Sequence, residues 1–364
     1  MEYAYRCTRA VLRKMRIVWR LHCKVRRSIT IAEERPSNDT VRNMEKLLYV
    51  WVISVGLILG FTGQSIAQIR TRTQPPYPTA ANSVSWIANV PYVSGGGAEQ
   101  QLDLYVPTNL KGEALVVYVH GGGWQHGDKA GDSLNPNNLQ WLWQGYAMAS
   151  INYRLVQTAL WPAQIEDCKA AIRWLRAHAA DYGYDPSRIA VVGESAGGHL
   201  VAMLGTTSGK HVYDVGENLN YSSDVTCVVN MFGVNDMTQS PKDAATLLGQ
   251  KDKDNQESMR AASPVTYVHQ DEPPMFIVQG TDDKLVPYKQ AVILADAMDK
   301  VHAVYHFHTV VGAGHNPYFG LNINSATGHF DTGGGGIGIF EDREVEPMII
   351  AFLHSSLAKK PSTD

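Results

Sequence analysis

The chain has 364 residues, 44% of them apolar and 18% charged, which excludes a disordered or fibrous protein and suits a soluble one with a sizeable core. That length suits two ordinary domains or one α/β domain of about 250 residues with additions. A formal net charge of −3 excludes the electrostatic signature of a nucleic-acid binder.

The charge is unevenly spread. Residues 1–43 carry 11 Lys/Arg against 4 Asp/Glu, and the remainder is acidic, so targeting sequence is expected ahead of a folded body. Met44-Glu45-Lys46 precedes an uncharged run from Leu47 to Phe61, followed by small residues at Ser65 and Ala67. The run is shorter than the ~20 residues of a spanning helix. It reads as a signal peptide starting at Met44 and cleaved after Ala67, giving a secreted or periplasmic protein with no stable membrane insertion, with an uncleaved anchor as the alternative. Residues 1–43 are then a basic leader or a mis-assigned start. Cleavage removes Cys7 and Cys23, and the remaining Cys168 and Cys227 are expected to be plain core residues.

Residues 68–82 are rich in Pro and Thr and read as a linker. The folded domain is expected over 83–358, with 359–364 as a tail. Within it, alternation over 101–106 predicts an exposed early strand. The continuous apolar runs 115–119 and 148–153 predict strands buried on both faces. A helix is predicted over 162–180, with Pro162 in its first turn and Ile165, Cys168, Ile172 and Leu175 as its apolar stripe. A strand at 189–192 leads into a small-residue helix from Ala196. Short strands follow at 225–229 and 275–278, then a helix over 288–300, a strand over 305–311 and a closing helix over 345–357. Strands separated by helices imply a mostly parallel central sheet with helices on both faces. The Gly-rich stretch 332–338 carries no assigned chemistry.

Four motifs fall at the ends of these strands. Gly193-Glu194-Ser195-Ala196-Gly197 follows the strand at 189–192 and opens a helix, the setting in which a sharp turn lifts a serine hydroxyl out of a sheet. The bland reading is a glycine-rich loop at a helix start, able to hold phosphate. His120-Gly121-Gly122-Gly123-Trp124 follows the strand at 115–119, and glycines let backbone N–H groups approach a developing oxyanion. The expected donors are Gly122, Gly123 and Ala196. His120 is expected to anchor this loop, and Trp124 either walls the acyl site or packs beneath it. Gly280-Thr281-Asp282-Asp283 offers an acid after a strand, with Asp283 preferred over Asp282. Gly312-Ala313-Gly314-His315 offers a base on a flexible loop, with His315 preferred over His329. His269, His302, His306 and His308 read as surface or strand residues.

With these motifs in place, the chain resembles the α/β-hydrolase esterases with an HGGGW oxyanion loop, the hormone-sensitive-lipase-like carboxylesterases and their feruloyl- and acetyl-esterase-like relatives. The resemblance covers about residues 85–357. It also rests on Gly127-Asp128-Lys129, on Ser150-Ile151-Asn152-Tyr153-Arg154, and on Pro162-Ala163-Gln164 through Trp174-Leu175-Arg176. It implies the α/β-hydrolase fold, a triad of Ser195, Asp283 and His315, oxyanion amides from Gly122, Gly123 and Ala196, and no metal or organic cofactor. The implied partner is a small-molecule or polysaccharide-linked ester. Rival readings are an amidase, formamidase or peptidase with the same triad, and a non-catalytic binding protein of this fold. The stretch 316–338 departs from the family by its length.

Overall fold

The computed structural model describes residues 84–108, 110–130, 144–315 and 345–359, all within one compact unit, Arg72–Asp364. The leader, signal peptide and linker expected over 1–82 lie outside the described residues, as do His329, the stretch 316–344 and the last five residues of the tail.

Among the described residues, eight strands form one sheet: β1 (Val84–Pro91), β2 (Gln101–Pro107), β3 (Leu115–Val119), β4 (Ala147–Ile151), β5 (Ile189–Glu194), β6 (Cys227–Met231), β7 (Met275–Gly280) and β8 (Tyr305–Val310). The order across the sheet is β1-β2-β4-β3-β5-β6-β7-β8. The first two pairings, β1 with β2 and β2 with β4, are antiparallel, and all the others are parallel. The described helices are α1 (Ala163–Ala177), α2 (Ala179–Tyr182), α3 (Ala196–Thr206), α4 (Pro241–Asp252), α5 (Gln256–Ala261), α6 (Lys289–Lys300) and α7 (Val345–Ser356).

The continuous apolar runs are the fully buried strands β3, β4 and β6, as burial on both faces demands. Alternate residues of β3 feed separate cores. Leu115, Val117 and Val119 pack with α1, α3 and α6 on one face. Val116 and Tyr118 pack with Val345, Ile349 and Leu353 of α7 on the other. The α1 stripe of Ile165, Cys168, Ile172 and Leu175 is buried as patterned, and Cys168 and Cys227 are free and buried.

Several sequence expectations need correction. The early strand β2 is not exposed: Leu102 to Tyr105 are buried, Leu102 and Leu104 in the core on one face of the sheet and Tyr105 in the core on the other. Asp103 misleads the pattern. Its carboxylate is buried against the Lys129 ammonium at 3.0 Å and accepts the Asn89 amide at 2.8 Å. The edge strand β1 escapes the pattern because a bulge between Ile87 and Val90, with Asn89 at φ 57°, breaks its alternation. The helix expected over 162–180 divides at His178, and Pro162 caps α1 instead of entering its first turn. The strand expected over 225–229 is displaced by two residues to Cys227–Met231, and that over 148–153 ends at Ile151. Helices α4 and α5 were not anticipated. Gly249, at φ 77° and ψ 171°, breaks the helical path of α4, and α5 has only six residues.

Candidate active site

Parallel strands all point the same way, so the loops after β3, β5, β7 and β8 open on one edge of the sheet. That edge gathers the four motifs. Ser195 sits at the turn between β5 and α3 with φ 52° and ψ −117°, a conformation that a non-glycine residue rarely adopts. The turn is held from outside, since the Ser195 amide donates to the Met231 carbonyl at 2.9 Å. It is also too tight for larger neighbours. A Cβ at Gly197 would stand 2.1 Å from the Val119 carbonyl oxygen, and one at Gly193 would stand 2.5 Å from that of Gly197.

The structure brings Ser195, His315 and Asp283 into one hydrogen-bonded line. His315 Nε2 lies 3.0 Å from Ser195 Oγ, and its Nδ1 lies 2.7 Å from Asp283 Oδ2. A carboxylate oxygen only accepts, so Nδ1 carries the proton and Nε2 is left to accept from the serine hydroxyl. The Asp283 side chain is fully buried. It also accepts from the Leu285 and Val286 amides, both at 2.9 Å, and from Gln279 Nε2 at 2.8 Å. Four donors satisfy the buried carboxyl group and fix its direction. Asp282 is exposed and contributes its amide to the Ala313 carbonyl at 2.9 Å. Together with the Gly312 amide on Thr281 Oγ1 at 2.8 Å, this clips the acid loop to the base loop.

The glycine loop lies beside this line. Gly122, Gly123 and Trp124 have φ of 108°, 59° and 58° in succession. A Cβ at Gly122 would stand 2.1 Å from the His126 carbonyl oxygen, so only glycine fits there. No backbone carbonyl of a described residue accepts from the amides of Gly122, Gly123 or Ala196. The Ser195 amide, by contrast, is engaged by the Met231 carbonyl.

Trp124 packs beneath the loop and is 1% exposed. Its indole N–H donates to Nδ1 of buried His199 at 3.3 Å, while His199 Nε2 donates to the Ala262 carbonyl at 2.8 Å. His120 is buried as well. Its Nδ1 donates to the Gly121 carbonyl at 2.7 Å, and its ring stacks on Tyr153. The trailing end of the loop is anchored by two other motifs of the sequence. Asn152 bonds both the Lys129 amide and the Asp128 carboxylate, and Ser150 Oγ donates to the Lys129 carbonyl. Sequence reasoning missed His199, Gln279 and Met231, because each acts through a contact between distant segments. Among the described residues no cluster of three or more His, Cys, Asp or Glu could hold a metal, and no helix is long and apolar enough to cross a membrane.

Burial lowers both His120 and His199 to about 4. Their folded values lie below the unfolded value of about 6.5, so the unfolded state takes up protons first as pH falls. Stability from these two groups is therefore complete above about pH 6.5 and is lost towards pH 4, by roughly 3 kcal/mol for each. Glu272, pushed up to about 7 by burial, works in the opposite direction over part of that window. Comparing urea unfolding of the wild type and His199→Gln at pH 7, 5.5 and 4 isolates one histidine. The variant should show the shallower acid loss, and identical pH slopes would refute the assignment.

The family BD-FAE matches residues 102–298, more than half of the chain and a stretch that includes Ser195 and Asp283. The chain belongs to the BD-FAE family. Its similarity extends to the "Probable carboxylic ester hydrolase LipM" of Mycobacterium tuberculosis (strain ATCC 25618 / H37Rv), 33% identical over 56% of this chain and 50% of that protein. The "Esterase LipC" of the same strain is 30% identical over 70% of this chain and 65% of its own length. The chain spans about half the length of the first curated relatives it matches. Among solved structures, a "Truncated form of carbohydrate esterase from gut microbiota" superposes with a TM-score of 0.64 at 30% identity, over 78% of this chain and 99% of that one. The BD-FAE chain therefore has the α/β-hydrolase fold of its esterase neighbours, with the mostly parallel sheet described above.

Proposed function

We propose that this BD-FAE chain is a serine carboxylic-ester hydrolase. The observation that carries the reading is the continuous line from Ser195 Oγ through His315 to Asp283, at 3.0 and 2.7 Å. Ser195 attacks the ester carbonyl as His315 Nε2 takes its proton, and Asp283 holds the imidazole in the required tautomer. The amides of Gly122, Gly123 and Ala196 receive the oxyanion, where each such donor is worth about 10²–10³ in rate. His315 then returns the proton to the leaving alcohol, and water activated by the same nitrogen releases the acyl group from Ser195. The substrate class is an acyl ester on a carbohydrate. What supports this is the likeness, at 30% identity over nearly the whole of its length, to a protein described as a carbohydrate esterase.

The test is labelling of the folded protein by a fluorophosphonate probe, followed by turnover of acetyl, butyryl and feruloyl esters beside matched amides. Labelling with ester turnover ahead of amide turnover is expected. Faster amide cleavage would move the chain to the amidase reading. Absence of both labelling and turnover would favour a non-catalytic binding protein.

A further inference from the structure

His315 follows Gly312, Ala313 and Gly314, with Gly312 at φ 78°, so its own backbone does little to fix the ring. Its two hydrogen bonds do not suffice either. In the proposed reaction Nε2 leaves Ser195 Oγ for the departing oxygen, and a single bond from Nδ1 to Asp283 leaves the ring free to turn about that axis. The third contact is Phe232, whose ring meets the imidazole at a centroid distance of 4.7 Å and an interplanar angle of 68°. This is edge-to-face aromatic geometry, and it uses neither ring nitrogen's hydrogen bond to Asp283 or Ser195.

Phe232 is itself held unusually. Its φ is 44°, a true outlier for a bulky side chain. The strained residue is pinned on both sides. Its amide donates to the Val278 carbonyl at 2.8 Å, while the carbonyl of Met231 before it takes the Ser195 amide. The Gly233 amide donates to Asn230 Oδ1 at 3.0 Å, Asn230 Nδ2 donates to Asn235 Oδ1 at 2.9 Å, and Asn235 is bound in turn by Gln290 of α6. A glycine would meet this backbone without strain; the residue here instead sets an aromatic ring against the histidine.

We propose that Phe232 is a positioning residue for His315: its ring fixes the plane of the imidazole and favours the imidazolium formed when Ser195 gives up its proton. The role rests on the serine-hydrolase reading, but its test does not need turnover. The readout is the titration of the His315 ring, followed by NMR on the full chain with histidine-labelled protein, in the wild type, Phe232→Leu and Phe232→Tyr. Asp283 in contact, and Asp243 through space from the first turn of α4, are carboxylates that act on this ring, and both are unchanged in the variants. Loss of the aromatic contact should lower the His315 pKa by roughly half a unit or more, while Phe232→Tyr keeps the wild-type value. If the chain hydrolyses esters, kcat of Phe232→Leu should fall about tenfold with KM little changed. An unshifted titration in Phe232→Leu, or equal shifts in both variants, would overturn the role whether or not the wild type turns over esters. Should Phe232→Leu fail to fold, Phe232→Met makes the same comparison. A wild type that titrates as expected but is inert to every ester would count against the hydrolase reading alone.

Discussion

Replacing Ser195 with alanine is expected to lower kcat by about 10⁶ while leaving the fold intact, if the three residues act as a unit. The hydroxyl is bonded to His315, and the side chain does not cap α3, so its loss breaks no structural bond. The turn conformation belongs to the backbone, where the Ser195 amide is tied to Met231 and glycines surround it. Alanine therefore keeps the site's shape and removes only the nucleophile. On the proposed mechanism the activity left over comes from the oxyanion amides and substrate binding, roughly 10³–10⁴ above the reaction in water. The measurement is kcat on a p-nitrophenyl ester together with the melting temperature. A variant retaining a tenth of the activity would remove Ser195 from the chemistry.

The second large effect is Asp283→Asn, with an expected loss in kcat of about 10⁴. The neighbours of Asp283 dictate how an amide must sit. Two backbone amides, from Leu285 and Val286, point at Oδ1, so the asparagine oxygen takes that place. Its NH₂ group then replaces Oδ2 and faces His315 Nδ1. A donor opposite Nδ1 forces the imidazole proton onto Nε2, which meets Ser195 as a donor and is no longer a base. Gln279 Nε2 also loses its acceptor there, so a modest loss of stability should accompany the kinetic one. Asp282→Asn provides the contrast: its carboxylate is exposed, and kcat should stay near wild type. Comparable losses in the two variants would mean that the acid is misassigned.

Much of the architecture is legible along the chain because it is written in local periods. The runs that become β3, β4 and β6 are uninterrupted because both their faces are covered, and α1 carries its stripe at helical spacing. The motifs that carry Ser195, the Asp282-Asp283 pair and His315 are legible because each follows a strand, and a parallel sheet brings strand ends together. What fails is what depends on a partner across the fold. Asp103 reads as a solvent-facing residue until Lys129 is seen beside it, and β1 loses its alternation at a bulge tied to that same carboxylate.

The sequence by itself determined the class of fold, the order of its motifs and the residue types able to do acyl chemistry, since strand periodicity and tight-turn glycines are properties of neighbouring residues. Only the tertiary structure decided which acid meets the imidazole, that Trp124 is bound to His199 beneath the glycine loop, and that Phe232 stands against His315. These are contacts between segments far apart in the chain. They depend on how β6, β7 and β8 align in the sheet and on how a few buried polar groups satisfy one another, and no local pattern encodes either.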